Sequence, residues 1–370
     1  MGTNRGCMPY KYKVLSIDGG GIRGIIPAII LAEIEKRTQK PICQLFDLIA
    51  GTSTGGILAA GLTKPHPNDQ NQPHYKAEEL IDVYRKNGHR IFFESWTNRL
   101  ISVDDIVRAK YSSKGRDEVL TEFFQDALIS EALTELFIPS YDINLRMPIF
   151  FTNNVRKQKL GENFRKVCEG YTMKQAAMAT SAAPTFFKPY KVNTIDQTAH
   201  GYYTLIDGSV FANNPTTLAI MEAIIHAQKP DPQTPDKQPL SFNDILVVSL
   251  GTGSLTRKYN YEQAANWGLI QWVEPLVNIT LDGNSESVAC QLEQLLPKVD
   301  GFPKQYYRFQ GQLMTAKDDM DDASPENIKQ LIKLATQIIQ QRNSDLNQLC
   351  EQLLQKQEQE EQQKDSRLVS

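Results

Sequence analysis

Histidine and cysteine are both scarce in this chain, five of each among 370 residues, and neither forms a cluster. Cys7, Cys43, Cys168, Cys290 and Cys350 are far apart, odd in number and outside any Cys-x-x-Cys or Cys/His grouping. That pattern argues against a zinc site or a disulfide framework and reads as free thiols in a reducing compartment. No basic run of the length expected of a polyanion site occurs and the formal net charge is −3, which gives no support for nucleic-acid binding. The longest apolar stretch, residues 25–34, contains Pro27 and is cut by Glu33 and Glu35, well short of the roughly 18 residues a spanning helix needs. The first ten residues hold one arginine and no apolar segment, so no secretory signal is expected. The expectation is a cytoplasmic chain, peripheral at membranes, that meets them from solution.

What is present suffices for a large folded unit. At 41% hydrophobic residues, 370 residues can build one large α/β domain or two smaller ones. Apolar runs at 13–17, 45–50, 147–152, 202–206, 245–250 and 306–309 read as strands. Helical patterns alternate with them, at 25–37 and 216–226 among others. The expected fold class is α/β, a three-layer sandwich with a mainly parallel central sheet and helices on both faces. Residues 77–140 read as mostly helical, 63–76 as a surface loop and 228–241 as an exposed connector. Arg90, Ile91, Phe92, Phe93, Trp96, Arg99 and Leu100 mix aromatics with cations, which suits either an interfacial patch or, as the ordinary outcome, core packing. After Ser324-Pro325, a helix start, Ile328, Leu331, Ile332, Ala335, Ile338 and Ile339 keep helical spacing, extended by Leu346, Leu349 and Leu353. That stripe is expected to dock on the parent domain, with pairing to a protein partner as the alternative. From Gln355 the Gln/Glu-rich sequence reads as a frayed tail.

The chemistry concentrates at strand ends. Leu48-Ile49-Ala50-Gly51-Thr52-Ser53-Thr54-Gly55-Gly56 is an apolar strand running into a Gly-x-Ser-x-Gly turn and a small-residue helix. Such a nucleophile elbow lifts the Ser53 hydroxyl clear of the sheet and aims helix amides at the reacting centre. Alone, the motif would be an ordinary turn more often than not. Asp18-Gly19-Gly20-Gly21-Ile22-Arg23-Gly24 follows a strand and opens a helix, which makes it an anion site. Its Gly19-x-Gly21-x-x-Gly24 spacing matches a dinucleotide fingerprint, but Asp18 would face the pyrophosphate and no acidic residue ends the second strand, Asp47 lying near its beginning. An oxyanion hole made by the amides of Gly20, Gly21 and Ile22 uses the same physics on a smaller target. Arg23 can orient an anionic headgroup or buttress the turn through a carboxylate, and Asp18 can accept backbone hydrogen bonds there.

Asp207-Gly208 ends another apolar strand and supplies a candidate base for Ser53. Of the histidines His66, His74, His89, His200 and His226, only His226 suits a triad order, and it closes a helix where capping is the commoner role. A Ser53/Asp207 dyad is therefore the preferred reading, with desolvation making the carboxylate a stronger base.

Taken in order, these segments, with Ala179-Thr-Ser-Ala-Ala-Pro-Thr185 and Ser249-Leu-Gly-Thr-Gly253, resemble the patatin-like phospholipases and acyl hydrolases over roughly residues 12–310. The resemblance implies a patatin-like fold and phospholipase A-type hydrolysis of fatty-acyl esters in membrane glycerolipids. Ser53 would be the nucleophile, Asp207 the base, and Gly19, Gly20 and Gly21 the oxyanion hole. Asp18, Arg23, Gly24, Gly51, Thr54, Gly55 and Gly208 would support them, with neither metal nor cofactor. The third motif commonly continues with Gly or Ala, where this chain has Ser209. The expected organisation is an N-terminal arm at 1–11, a catalytic domain at 12–320, a helical region at 321–354 and the tail at 355–370. The rivals are a Ser53/Asp207/His226 esterase, a nucleotide-binding protein using the 19–24 turn, and a catalytically silent scaffold acting through its C-terminal helix.

Overall fold

A computed structural model describes residues 10–92, 110–154, 163–194, 201–227, 240–254, 258–297 and 303–368, the side chains of 226–227, 274 and 356–368 excepted. Among the described residues the strands are β1 (Tyr12–Ile17), β2 (Leu48–Gly51), β3 (Pro65–His66), β4 (Asp69–Pro73), β5 (Glu135–Asp142), β6 (Met147–Thr152), β7 (Arg165–Val167), β8 (Tyr190–Asn193), β9 (Tyr202–Asp207), β10 (Ile245–Leu250) and β11 (Tyr306–Phe309). Nine of them form one sheet along the path β11-β10-β1-β2-β5-β6-β7, with β9 pairing β5 and β8. The pairs from β11 to β5 are parallel. Strand β5 meets β6 antiparallel on its other edge and β9 antiparallel further along the edge that pairs β2. The α/β class with a mainly parallel sheet holds.

The strands bury both faces, which is why they read as unbroken apolar runs. Along β1, Leu15 and Ile17 enter one core while Val14 enters the other. Strand β10 divides likewise, Leu246, Val248 and Leu250 against Ile245 and Val247. Ile25, Ile30 and Ile34 of the helix Ile25–Thr38 cover the first face, and Ala219, Ile220 and Ala223 of the helix Thr216–Ala227 the second. The C-terminal stripe packs on the first face through Ile328, Leu331, Ala335, Ile338, Leu346, Leu349 and Leu353. Its apolar residues thus serve the parent fold. The helix Asn343–Leu368 carries its backbone through the segment read as a tail.

Three expectations are corrected. Strand β5 begins within the stretch read as helical and runs two residues past it. Leu136, Phe137 and Ile138 are fully buried on alternate faces, as in a central strand, but Pro139 hides it from a sequence reading. Along one edge β5 pairs β2 through Glu135–Phe137 and then β9 through Ser140–Asp142, and Pro139 falls at the changeover, a gap in the ladder that tolerates its missing N–H. Strand β2 begins at Leu48 rather than Leu45, which sits in a helical turn, Ile42–Leu45. The segment read as a loop contains the antiparallel pair β3 and β4.

Cys43, Cys168 and Cys350 are buried and free, and Cys290 is exposed and free. Ile91 is buried, and Phe92 packs on Tyr111 and Phe187. Phe93, Trp96, Arg99, Leu100, Cys7, most of the 1–11 arm and most of the 228–241 connector lie outside the described residues.

Candidate active site

The partner change along β5 builds the site. Ala50 of β2 is in register with Phe137 and Asp207 of β9 with Ser140, and the two strands run towards each other along the same edge. Their carboxyl ends therefore meet about 10 Å apart, three residues of β5 at roughly 3.3 Å each. The turn after β2 spans that distance and presents Ser53 to Asp207.

Ser53 has φ 55° and ψ −121°, a conformation that costs about 1–3 kcal/mol in a non-glycine residue and that a sharp strand-to-helix turn demands. The elbow is braced from several sides. Ser53 N–H donates to Thr180 Oγ1 at 2.9 Å, and Thr180 Oγ1 donates to the Pro139 carbonyl at 2.6 Å. Thr52 Oγ1 donates to the Ala212 carbonyl at 2.7 Å. Thr54 Oγ1 donates to Tyr84 Oη at 2.7 Å, and Gly24 lies beside that pair. Gly51 closes β2 against Gly55, and Gly55 packs so tightly under the Ile17 carbonyl that a Cβ there would overlap it.

Asp207 is 2% exposed. Its N–H donates to the Ala182 carbonyl at 3.0 Å, and its Oδ1 accepts from Ser209 N–H at 2.8 Å. Gly208 packs against the Pro139 carbonyl. Burial pushes the carboxyl up to about 6, while hydrogen bonding from the Ser53 hydroxyl, from Ser209 and the charge of Arg116 pull it down. Ser209, where the resemblance led one to expect Gly or Ala, thus adds a hydroxyl to the support of the carboxylate. The 179–185 motif serves both groups, Thr180 holding Ser53 and Ala182 holding Asp207.

The glycine turn lies alongside. A Cβ on Gly19 would stand 3.3 Å from Ser53 Cβ. Gly19 N–H donates to the Asn213 carbonyl and Ile22 N–H to that of Met320, so neither amide is available to an oxyanion. The N–H groups of Gly20 and Gly21 have no acceptor among the described residues, and both glycines line the pocket that holds Ser53. Gly21 has φ +59° and faces Met320, which favours glycine on both counts. Thr252 Oγ1 donates to the Gly19 carbonyl at 2.7 Å, which gives the 249–253 motif its place.

Asp18 does not accept turn amides. Its carboxylate is held by Arg308, Nη1 to Oδ1 at 2.9 Å and Nη2 to Oδ2 at 2.6 Å, and by Ser285 Oγ at 3.3 Å. Burial raises its pKa although Arg308 and Ser285 oppose the shift. Arg23 buttresses the turn through a carbonyl, Nε to Gly20 O at 3.3 Å, and burial lowers its pKa to about 10.

The pocket is a cleft of about 250 Å³ with mainly apolar walls, including Ile22, Ile57, Phe92, Phe187, Leu276 and Val277. Sequence reasoning missed two cations. Arg308 stands in the otherwise uncharged strand Tyr306–Phe309, a visible anomaly. Arg116, 1% exposed, lines the cleft, donates to the Ser181 carbonyl and lies 4.1 Å above the Phe187 ring. Nothing in its helical sequence context marks it out. His226 lies in the last turn of the helix Thr216–Ala227, with its side chain outside the described residues. Among the described residues no group of His, Cys, Asp or Glu is arranged to hold a metal ion.

The family model described as patatin-like phospholipase matches residues 15–220, which span the glycine turn, the elbow and Asp207. The chain belongs to the patatin-like phospholipase family. Patatin-like protein 3 of Arabidopsis thaliana is 31% identical to it over 92% of this chain and 84% of its own length. Patatin-like protein 2 of Oryza sativa subsp. indica is 34% identical, covering 90% and 85%. A further relative, 33% identical over 90% of this chain and 88% of its own, is a Solanum tuberosum protein named probable inactive patatin-3-Kuras 1. Membership of the patatin-like family supports a hydrolase of lipid esters. No described helix of this patatin-like chain is long and apolar enough to cross a membrane.

Proposed function

We propose that this protein hydrolyses fatty-acyl esters of membrane glycerolipids through an acyl-Ser53 intermediate. The observation that carries the reading is the meeting, in one apolar cleft, of Ser53, Asp207 and the amides of Gly20 and Gly21, which have no acceptor among the described residues. Asp207 takes the Ser53 proton as Oγ attacks the ester carbonyl, and the resulting oxyanion is received by the two amides. Collapse of the tetrahedral intermediate expels the alcohol, which takes the proton from Asp207. A water molecule, deprotonated by the same carboxylate, then releases the fatty acid and restores Ser53. Each oxyanion donor is worth about 3 kcal/mol of transition-state stabilisation.

A fluorophosphonate is expected to label the chain once, at Ser53, as located by mass spectrometry of its peptides. Incubation with a mixed lipid extract is expected to release free fatty acid. Absence of both would retire the reading, and binding of NAD or ATP in a calorimeter would turn attention to the nucleotide alternative. The acid limb of the kcat/KM profile on a soluble ester is expected near pH 6, because the base acts only when ionised. Ser209 lowers the Asp207 pKa, so Ser209→Ala is expected to move that limb to higher pH. An unmoved limb would remove Ser209 from the support of the base.

A further inference from the structure

Among the described residues, large apolar side chains left exposed gather on one stretch of chain. In the long helix Leu269–Leu295, Leu269 is 90% exposed, Ile270 68% and Leu276 55%, and Trp272, Val273 and Ile279 are exposed as well. Gln271, Glu274 and Asn278 interrupt the run, but so many exposed apolar side chains on adjoining turns mark an interaction surface, and among the described residues these side chains are left uncovered. The later part of the helix is bolted to the catalytic scaffold. Asn213 donates through Nδ2 to the Leu281 carbonyl at 3.2 Å and through its backbone N–H to Asn284 Oδ1 at 2.9 Å. The first turns project from that anchor, and Leu276, Val277, Thr280 and Leu281 line the cleft that holds Ser53.

We propose that residues 267–279 are the membrane-docking surface of this protein, inserting into a bilayer of uncharged or zwitterionic glycerolipid. The inference rests on the lipid-ester reading and specifies how that substrate is reached. Three observations select a bilayer over a protein partner. The exposed stretch is continuous with the cleft wall, so whatever covers it lies where the substrate enters. The rings of Tyr259, Trp267 and Trp272 cluster at its amino end, Tyr259 to Trp267 at 5.1 Å and Trp267 to Trp272 at 4.9 Å, the kind of residue that settles at the headgroup level. From residue 267 to 281 the only charged residue is Glu274, and the cations nearest in sequence on the amino side, Arg257 and Lys258, lie outside the apolar turns. Apolar insertion, not charge, therefore drives docking.

The test is flotation of the full chain carrying Ser53→Ala with phosphatidylcholine vesicles, at low and at high salt. Binding is expected at both, and the double substitution Ile270→Glu and Val273→Glu is expected to lower the bound fraction roughly tenfold or more. Unaltered thermal melting of the double variant controls for folding, and if it melts lower, Ile270→Gln alone gives the same readout. Undiminished binding by the variant, or binding that salt abolishes, would overturn the proposal. So would a dimer in analytical ultracentrifugation that the double substitution dissolves, since a second copy would then be the occupant. The assay needs no turnover, so its failure leaves ester hydrolysis untouched. A chain that floats but hydrolyses no lipid would instead retire the lipid-ester reading alone.

Discussion

Exchange of Asp207 for Asn is expected to give a protein that is more stable at neutral pH and nearly inactive. The carboxyl has a folded-state pKa of about 6 against an ordinary 3.8, because burial disfavours its charge. A pKa raised on folding contributes stability that is fully present below the unfolded value and is lost as pH rises through about 6. Holding this side chain ionised above pH 7 thus costs the native state about 3 kcal/mol. Asparagine carries no charge at any pH and still offers an oxygen to Ser209 N–H, so it escapes that cost. Differential scanning calorimetry should show the variant melting several degrees above the parent at pH 8, with the gap closing towards pH 4. Ester hydrolysis should fall by at least ~10⁴-fold, since serine then has no proton acceptor. Near-parental turnover would end the dyad proposal. A variant that melts lower at pH 8 would make Asp207 a structural residue.

Arg308→Met is expected to destabilise the fold by about 3–5 kcal/mol in urea titrations. Asp18 and Arg308 are both buried, and the guanidinium meets the carboxylate through two nitrogens. Removing the cation leaves a carboxylate without counter-charge in the interior, where the desolvation penalty is no longer offset. The pair also holds Ser249 through Arg308 Nη1 at 2.9 Å and Ser285 through Asp18, so it ties β1, β10, β11 and the long helix together behind the glycine turn. The double variant Asp18→Asn with Arg308→Met should recover most of the loss, because no net charge is then stranded. A cost for the single variant under about 1 kcal/mol would show that water reaches Asp18.

The parts of the site that sequence revealed are those whose chemistry is local. Gly51-x-Ser53-x-Gly55 and Asp207-Gly208 are turns that must follow strands, and each lies at a strand end. What escaped depends on contacts between distant segments. The bond from Ser53 N–H to Thr180, the pairing of Arg308 with Asp18 and the loss of the Gly19 amide to Asn213 join residues 127, 290 and 194 positions apart, the last by subtraction of the residue numbers. Strand β5 escaped because Pro139 is a breaker in most strands and is harmless only where the pairing partner changes. The apolar surface at 267–279 is interrupted by Pro275 and has no heptad pattern, so its exposure becomes visible only once the fold is known.

That change of partner along β5 has a consequence for how the chain can vary. The separation between alcohol and carboxylate is gauged by three residues of one strand, Phe137 to Ser140, and not by the 154 positions that separate 53 from 207 in the chain. Loops within that interval can lengthen or shorten without disturbing the spacing, whereas one residue gained or lost between 137 and 140 would shift the calliper by about 3.3 Å and turn one jaw to the opposite face of the sheet.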